Sequence, residues 1–163
     1  GYYKGRNFGK DNLAGKIAMT QYGKNVILSI KVNDDDVIFC PDKNRHKPYG
    51  DTILLDIYGN NQKRNAVTVY ATKSGKAIVD STEGAFRSGI KAYDTSRKNG
   101  YFIEIDIPFE LVKVFDNKYV RMNVFILDCD SHTSDLRTPY IKMSMTSANA
   151  TKFSDLPYFI LKN

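Results

Sequence analysis

Apolar and polar residues alternate one by one in many segments of this chain, and that period of two constrains the fold more than any other feature. Positions 26–32 and 103–107 both have an apolar residue at every second place. This pattern is typical of a β-strand with one face against a core and the other toward solvent. Further strands are predicted at positions 52–58, 67–71 and 123–127, with shorter ones at 17–19, 77–79, 90–93, 141–145 and 158–161.

Clusters of Gly, Asn, Asp and Pro separate the predicted strands, and such clusters mark turns. They lie at positions 33–36, 41–48, 59–61, 98–100 and 128–134. Only positions 109–115, which follow Pro108, are predicted to be helical, for one or two turns. Many short strands joined by turns indicate an all-β fold, namely an antiparallel β-sandwich of the immunoglobulin-like or jelly-roll type with one short helix.

The composition is that of one globular domain. The chain has 163 residues, of which 42% are hydrophobic and 26% are charged, so it can bury a core and lacks the bias of a disordered chain. No apolar run approaches the roughly 20 residues that a membrane-spanning helix needs. We expect residues 1–163 to form a single β-sandwich domain, an excerpt of a larger protein that is secreted or displayed on the cell surface.

The net charge of +6 and the pI near 9.2 allow two interpretations. Positive charge favours an acidic partner, such as an anionic polysaccharide, a nucleic acid or a cell surface. Alternatively, the charge reflects a background rich in Lys and Asn, because the lysines are scattered along the sequence. No basic stripe accompanies the aromatic residues, so we do not expect binding to nucleic acid.

Two cysteines, Cys40 and Cys129, give little information about the framework. They form either one disulfide or two buried thiols, because their distance in space does not follow from the sequence. Their spacing does not match a zinc site.

The residues that could carry out catalysis are few and badly spaced. His46 and His132 each lie in a polar loop. Ser131, His132 and Asp135 fall in one loop, whereas the groups of a Ser–His–carboxylate triad usually come from separate segments. The chain contains no Gly-x-Ser-x-Gly elbow, phosphate-binding glycine loop or His-Glu-x-x-His pair. We therefore predict that the chain is not an enzyme.

Aspartates gather where predicted strands begin or end. Asp34, Asp35 and Asp36 follow one strand, Asp51 precedes another, and Asp128 ends a third. Clustered carboxylates repel one another unless a cation or lysines neutralise them, and Ca²⁺ prefers hard oxygen ligands in flexible loops. The alternative is that these aspartates only form turns, which they also favour.

Four segments, in order along the chain, resemble the family 9 carbohydrate-binding modules and their DOMON-like relatives. Positions 25–34 (NVILSIKVND) resemble the family strand "LY-x-x-x-x-V-x-D", and positions 49–53 (YGDTI) are similar to "W-x-GD-S-V". Positions 100–109 (GYFIEIDIPF) resemble "GY-x-VE-x-x-IPW", and positions 122–130 (MNVFILDCD) resemble "GFNVQVNDAD". The resemblance implies a β-sandwich that recognises sugars and holds structural calcium. It implies Asp34 and Asp51 as calcium ligands, with Asp36 and Asp128 as further candidates.

The sequence departs from the family pattern where family members bind sugar between two tryptophans. It contains no Trp, and Tyr49 occupies the place of the first clamp residue, while the second falls near Ser147. The family's sugar-binding Glu corresponds to Leu54, and its strand Gln and Asn correspond to Phe125 and Leu127. The ligand therefore sits elsewhere or differs in kind, or the domain has lost sugar binding.

Other side chains of this chain could supply a sugar site. Aromatic rings can stack on pyranose faces, and guanidinium groups can bind hydroxyl or acidic groups. The candidate ligand-binding residues are Tyr49, Tyr58, Tyr70, Tyr93, Phe125, Arg45, Arg64 and Arg87. The alternative for each tyrosine is packing within the sandwich, and exposed cations need no ligand to explain them.

We predict a non-catalytic carbohydrate-binding module that binds a neutral or acidic polysaccharide, or the end of such a chain. Its partner would be the catalytic domain of a larger carbohydrate-active protein, which it would hold near the polysaccharide. The alternative is a domain of the same fold that mediates structural or protein contacts and has lost sugar binding.

Overall fold

The computed structural model describes residues 2–3, 6–7, 14–41, 50–58, 64–114, 119–129, 140–144 and 158–160. These ranges contain thirteen strands and two short helices. In chain order the elements are β1 (Tyr2–Tyr3), β2 (Arg6–Asn7), β3 (Ala14–Tyr22), β4 (Asn25–Asn33), β5 (Thr52–Tyr58), β6 (Arg64–Tyr70), β7 (Ile78–Ser81), α1 (Gly84–Gly89), β8 (Lys91–Arg97), β9 (Gly100–Pro108), α2 (Phe109–Val112), β10 (Lys113–Val114), β11 (Tyr119–Asp128), β12 (Tyr140–Ser144) and β13 (Tyr158–Ile160).

The strands form two antiparallel sheets. Sheet A has five strands in the order β1-β3-β4-β9-β8 within the described residues. Sheet B has eight, with the path β2-β12-β11-β5-β6-β7, and both β10 and β13 pair with β11. Two sheets that pack face to face form a sandwich. The prediction of an all-β sandwich is therefore confirmed.

The inward faces of both sheets form one core of aliphatic side chains. On β4, the side chains of Val26, Leu28, Ile30 and Val32 are completely buried, whereas Lys31 is exposed. The strands β5, β6, β9 and β11 contribute in the same way, at alternate positions. Burial of these apolar faces is the main force that holds the sheets together. The alternation of apolar and polar residues in the sequence results from it.

Sheet B departs from simple alternation on its outer face. On β5, Asp56 is buried although it points away from the core side of Leu55 and Ile57. On β11, Asn123 and Phe125 are also buried on this outer side. This outer face of sheet B is therefore partly covered, and it differs from the solvated outer face of sheet A.

The structure corrects the expected number of helices and shows the state of the two cysteines. The helix expected over positions 109–115 is observed as α2, which ends at Val112 because Lys113–Val114 pairs with β11 as β10. The helix α1 is a second one, which the sequence pattern did not predict. Its sequence, GAFRSG, has a glycine at each end, and no side chain caps its N-terminus, so helix signals are weak. Cys40 and Cys129 are two buried thiols, and no disulfide joins them. Neither described helix is long and apolar enough to cross a membrane.

Candidate functional site

Three aspartates from different strand ends meet inside the sandwich. Asp34 follows β4, Asp51 precedes β5, and Asp128 ends β11. Each lies two residues from an inward-facing core residue, so the alternation directs all three side chains between the sheets at the same end. All three are buried, and one carboxylate oxygen from each lies within 4.8 Å of the others. We call these three residues the carboxylate cluster.

Asp51 holds the chain around this cluster. Its Oδ1 accepts a hydrogen bond from the backbone N–H of Cys129 at 3.0 Å, and its Oδ2 accepts one from the N–H of Ile38 at 3.3 Å. Its own N–H donates to the carbonyl of Ile38 at 2.8 Å. Asp51 therefore joins β11 and the segment that follows β4 to the start of β5.

Gly50 makes this close approach possible. Its φ is +114°, in the region that favours glycine, and a Cβ here would collide with the carbonyl oxygen of Ile38. Gly50 is therefore required for its backbone conformation, and Asp51 is required for the hydrogen bonds of its carboxylate.

The electrostatics of the carboxylate cluster require a positive charge or a proton. The pKa of Asp51 is raised from 3.8 to about 9, first by burial and then by the charge of Asp34, with a smaller contribution from Asp128. The hydrogen bond from Cys129 acts in the opposite direction. Three buried carboxylates this close cannot all be ionised without a compensating charge.

Tyr101 of β9 adds a phenol hydroxyl to this region. The residue is completely buried, and its hydroxyl has no hydrogen-bond partner in the part of the chain that the structure describes. Burial and the charges of Asp51, Asp34 and Asp128, in that order, raise its pKa well above the ordinary value. A buried hydroxyl without a partner is costly, so a bound group that accepts or coordinates it would stabilise the fold.

The donor set suits a hard divalent cation. Three carboxylates can supply up to about six oxygens, and Ca²⁺ takes six to eight. Asp36, the remaining candidate ligand, does not belong to the carboxylate cluster. It is exposed, and its backbone N–H donates to Asp34 Oδ1 at 3.1 Å, so it positions one ligand candidate.

A second polar arrangement lies on the outer face of sheet B. Asp56 of β5 is directly opposite Asn123 of β11. Arg64 Nη2 lies 2.9 Å from Asp56 Oδ2, and the side chain of Asp56 is only 8% exposed while that of Arg64 is 56% exposed. Asp56 Oδ1 is buried without a hydrogen-bond partner among the described residues. We call Asp56, Arg64 and Asn123 the polar group of sheet B.

Four of the predicted ligand residues share this outer face. Tyr58, Tyr70 and Phe125 occupy outward positions of β5, β6 and β11, and Arg64 begins β6. Tyr58 and Phe125 are only 7% and 6% exposed, so they pack within the face and offer little ring surface for stacking. Tyr70 is half-buried at the end of β6. Burial raises the pKa of both tyrosines above 10.0, and neighbouring aspartates add to the shift.

Two further predicted ligand residues, Arg87 and Tyr93, lie apart from this face. Arg87 of α1 binds Asp80 of β7 at 2.9 Å, at the edge of sheet B. Tyr93 of β8 is 48% exposed, but it lies on sheet A and cannot join a site on sheet B. Tyr49 and Arg45 lie outside the described residues, as do Ser147 and both histidines.

Sequence reasoning missed three residues that the structure brings into these sites. Asp56 and Asn123 occupy outward strand positions, where alternation predicts ordinary solvated side chains. Tyr101 is part of the "GY" segment, but the pattern does not show that its hydroxyl approaches the carboxylate cluster. For Asp56 the sequence contains no signal of its burial.

Similar proteins were found at the level of structure. No protein-family model and no curated protein sequence matches the chain significantly. The solved structures that match it include two that cover its full length. One is a family 9 carbohydrate-binding module from Caldicellulosiruptor kristjanssonii in complex with cellotriose, with a TM-score of 0.72, 13% identity and 83% of that chain covered. The other is a family 9 module from the same organism in complex with glucose, with a TM-score of 0.68, 14% identity and 84% covered.

These matches confirm the resemblance on which the sequence analysis relied. The chain has the fold of family 9 carbohydrate-binding modules, in the same β-sandwich architecture. At 13–14% identity the likeness extends to the fold, so the binding residues have to be argued from this chain's own side chains.

Proposed function

We propose that this domain is a non-catalytic carbohydrate-binding module whose binding face is the outer side of sheet B. The observation that carries the proposal is the polar group of sheet B, which lies on a fold shared with modules solved with glucose and cellotriose. Asp56 keeps one buried oxygen without a donor while Arg64 holds the other. A sugar hydroxyl is a donor that could satisfy this oxygen if the groups that cover it move when the sugar binds.

The position of the face supports the proposal further. The motif resemblance implies that the family's sugar-binding Glu, Gln and Asn correspond to Leu54, Phe125 and Leu127, and these are outward positions of β5 and β11. Leu54 and Phe125 are directly opposite each other. In this chain Leu54 is half-buried, and Phe125 and Leu127 are only 6% and 9% exposed, so the three form a mainly buried apolar layer beside the polar group. Sugar recognition commonly combines apolar contact with a few placed polar groups.

The ligand is a neutral or acidic oligosaccharide or polysaccharide. Arg64 is more than half exposed and already bound to Asp56, so it can contact a sugar while it keeps the carboxylate in place. The module would serve a larger carbohydrate-active protein outside the cell or on its surface, where it raises the local concentration of substrate for a catalytic domain.

Calcium has a structural place in this proposal. Asp34, Asp51 and Asp128 would hold the ion, and the Tyr101 hydroxyl lies in the same region. The ion would supply the positive charge that the carboxylate cluster lacks. It would link the ends of β4, β5 and β11, and thereby stabilise the sandwich rather than contact the sugar.

The test is a binding screen of the whole domain against glucose, cello-oligosaccharides and uronate-containing oligosaccharides, with and without calcium. We expect at least one ligand, whose affinity falls when Arg64 is replaced by Ala. Arg87→Ala is the matched control, because Arg87 makes an ion pair of the same length at the edge of the same sheet. Absence of binding across the screen would contradict the proposal.

A second function is favoured by one specific observation. The chain contains no Trp, and Tyr58 and Phe125 are nearly buried, so the described part of sheet B offers no prominent stacking ring. A structural or protein-contact domain of the same fold needs no such ring. A negative screen together with an intact, calcium-stabilised fold would favour this alternative.

A further inference from the structure

The outer face of sheet A carries a group of basic side chains that come from three different strands. Lys16 of β3 is directly opposite Lys31 of β4, and both are exposed. Arg97, at the end of β8, lies over the ring of Phe102 on β9, with its guanidinium carbon 5.6 Å from the ring centroid. Phe102 is in turn directly opposite Lys31. We call Lys16, Lys31 and Arg97 the basic corner. Lys98 lies next to Arg97, in the turn that follows β8.

The three side chains of the basic corner are exposed. None of its three side chains forms an ion pair with a carboxylate in the described ranges. The acidic residues of this face lie further along β9, where Glu104, two positions after Phe102, is opposite Tyr93 and Asp106 is opposite Lys91.

The segment after β4 carries two exposed aspartates before it leaves sheet A. Asp35 and Asp36 are exposed there, but the chain then crosses toward sheet B, where the Cys40 N–H donates to the carbonyl of Ala71 at 2.8 Å. Like charges directly opposite each other destabilise a sheet. A bound anion between Lys16 and Lys31 would relieve that repulsion.

We propose that the basic corner is a second binding site, which takes the carboxylate or sulfate groups of an anionic polysaccharide. The class of polymer rests on the proposed function, whereas the charge of the ligand rests on the corner itself. Arg97 is held by the Phe102 ring, so its guanidinium is pre-ordered for an oxyanion. Lysines on the two neighbouring strands supply further point charges.

The geometry of the sheet fits an extended sugar chain. Neighbouring strands are about 4.8 Å apart, close to the length of one pyranose unit, so cations on successive strands can meet successive acidic groups. Tyr93 is 48% exposed and lies one step diagonally from Phe102 on the same face. Its ring can pack against a pyranose face beside the charged contacts.

The test compares two double variants that change the net charge equally. Lys16→Glu with Lys31→Glu reverses the basic corner, whereas Lys24→Glu with Lys91→Glu reverses two exposed lysines at the other end of sheet A. The probes are polygalacturonate and dextran sulfate, with neutral dextran as the uncharged control, at roughly 50 mM salt, where charges are weakly screened. Circular dichroism establishes that each variant folds.

We expect the corner variant to lose affinity for an anionic probe by about tenfold or more, while the control variant keeps most of it. The two probes distinguish carboxylate from sulfate recognition. If the wild-type domain binds neither, or if both double variants lose affinity equally, the assignment of the corner is overturned. Arg97→Ala, which leaves the lysines in place, should give a smaller loss in the same direction.

Two further measurements distinguish this inference from binding of nucleic acid and from the proposed sugar site on sheet B. Single-stranded DNA that bound as tightly as the polysaccharides, and with the same dependence on Lys16 and Lys31, would overturn the assignment to a polysaccharide. Binding of a neutral oligosaccharide is measured in the same variants and should be unchanged by the corner mutations. If no variant binds the neutral oligosaccharide but the wild-type domain still binds an anionic polysaccharide, the result contradicts the sugar site on sheet B and not the basic corner.

Discussion

Asp51 Oδ1 accepts a hydrogen bond from the backbone N–H of Cys129 at 3.0 Å, across 78 positions of the sequence. This bond joins the start of β5 to the end of β11 beside Asp128. It holds the buried Asp51 carboxylate close to the carboxylates of Asp34 and Asp128. The same contact that closes the sandwich thus holds Asp51 in the carboxylate cluster, for which calcium is proposed.

Calcium should stabilise the domain. At a calcium concentration about 100 times Kd, binding to the native state alone adds about 2.7 kcal/mol, which corresponds to about 5 to 10 °C in Tm for a domain of this size. Thermal unfolding in EDTA and in calcium measures this difference. Asp128→Asn should abolish most of it, whereas Asp35→Asn, at an exposed neighbour of Asp34, should leave it intact. Equal Tm values in EDTA and calcium would remove the ion from the account.

The stability of the metal-free domain should fall as the pH rises. Asp51 has a folded pKa of about 9 against 3.8 as its ordinary value. Between these values the folded state holds a proton that the unfolded state has lost, so its stabilising contribution is complete below pH 3.8 and disappears as the pH passes through about 9. Urea unfolding in EDTA should therefore give a lower free energy at pH 8 than at pH 5. A higher value at pH 8 would contradict the raised pKa.

Tyr101→Phe separates the two roles of the phenol hydroxyl. Without metal, removal of a buried hydroxyl that has no partner among the described residues should raise the free energy of unfolding by about 1 kcal/mol. If the hydroxyl contacts the ion, the same variant should gain less stability from calcium than the wild type. Loss of stability in EDTA would show that the hydroxyl is satisfied in the metal-free fold.

Gly50→Ala should be strongly destabilising. The added Cβ would collide with the carbonyl of Ile38, and φ at this residue is +114°. We expect a loss of about 2 kcal/mol or more in urea unfolding. Gly84→Ala is the matched control, because a Cβ at Gly84 meets nothing within 4 Å and the residue begins a helix. Similar effects of the two changes would mean that Gly50 is not needed for the approach of Ile38.

The strands were predictable from the sequence because burial on one face imposes alternation, as on β4 and β9. The helix α1 was not, since GAFRSG has no helix signal stronger than its two glycines. The aspartates at strand ends were recognisable one by one, but their convergence on Tyr101 depends on how the two sheets pack. Asp56 looked like a solvated outward residue, because alternation cannot show that the outer face of sheet B is covered.

The basic corner was hidden for a different reason. Lys16, Lys31 and Arg97 are far apart in the sequence, and the lysines of this chain look scattered when the sequence alone is considered. Only the register of β3, β4, β9 and β8 brings these cations onto one face.

The most direct measurement is titration calorimetry of the best oligosaccharide from the screen with the wild-type domain, Asp56→Asn and Asp80→Asn. Both aspartates bind an arginine at 2.9 Å, but only Asp56 lies in the polar group of sheet B. Sugar binding at this face predicts that Asp56→Asn lowers the affinity by about tenfold or more, since a charge-assisted hydrogen bond is lost, and that Asp80→Asn leaves it unchanged. Unchanged affinity in a folded Asp56→Asn variant would contradict the proposal that this face binds the sugar.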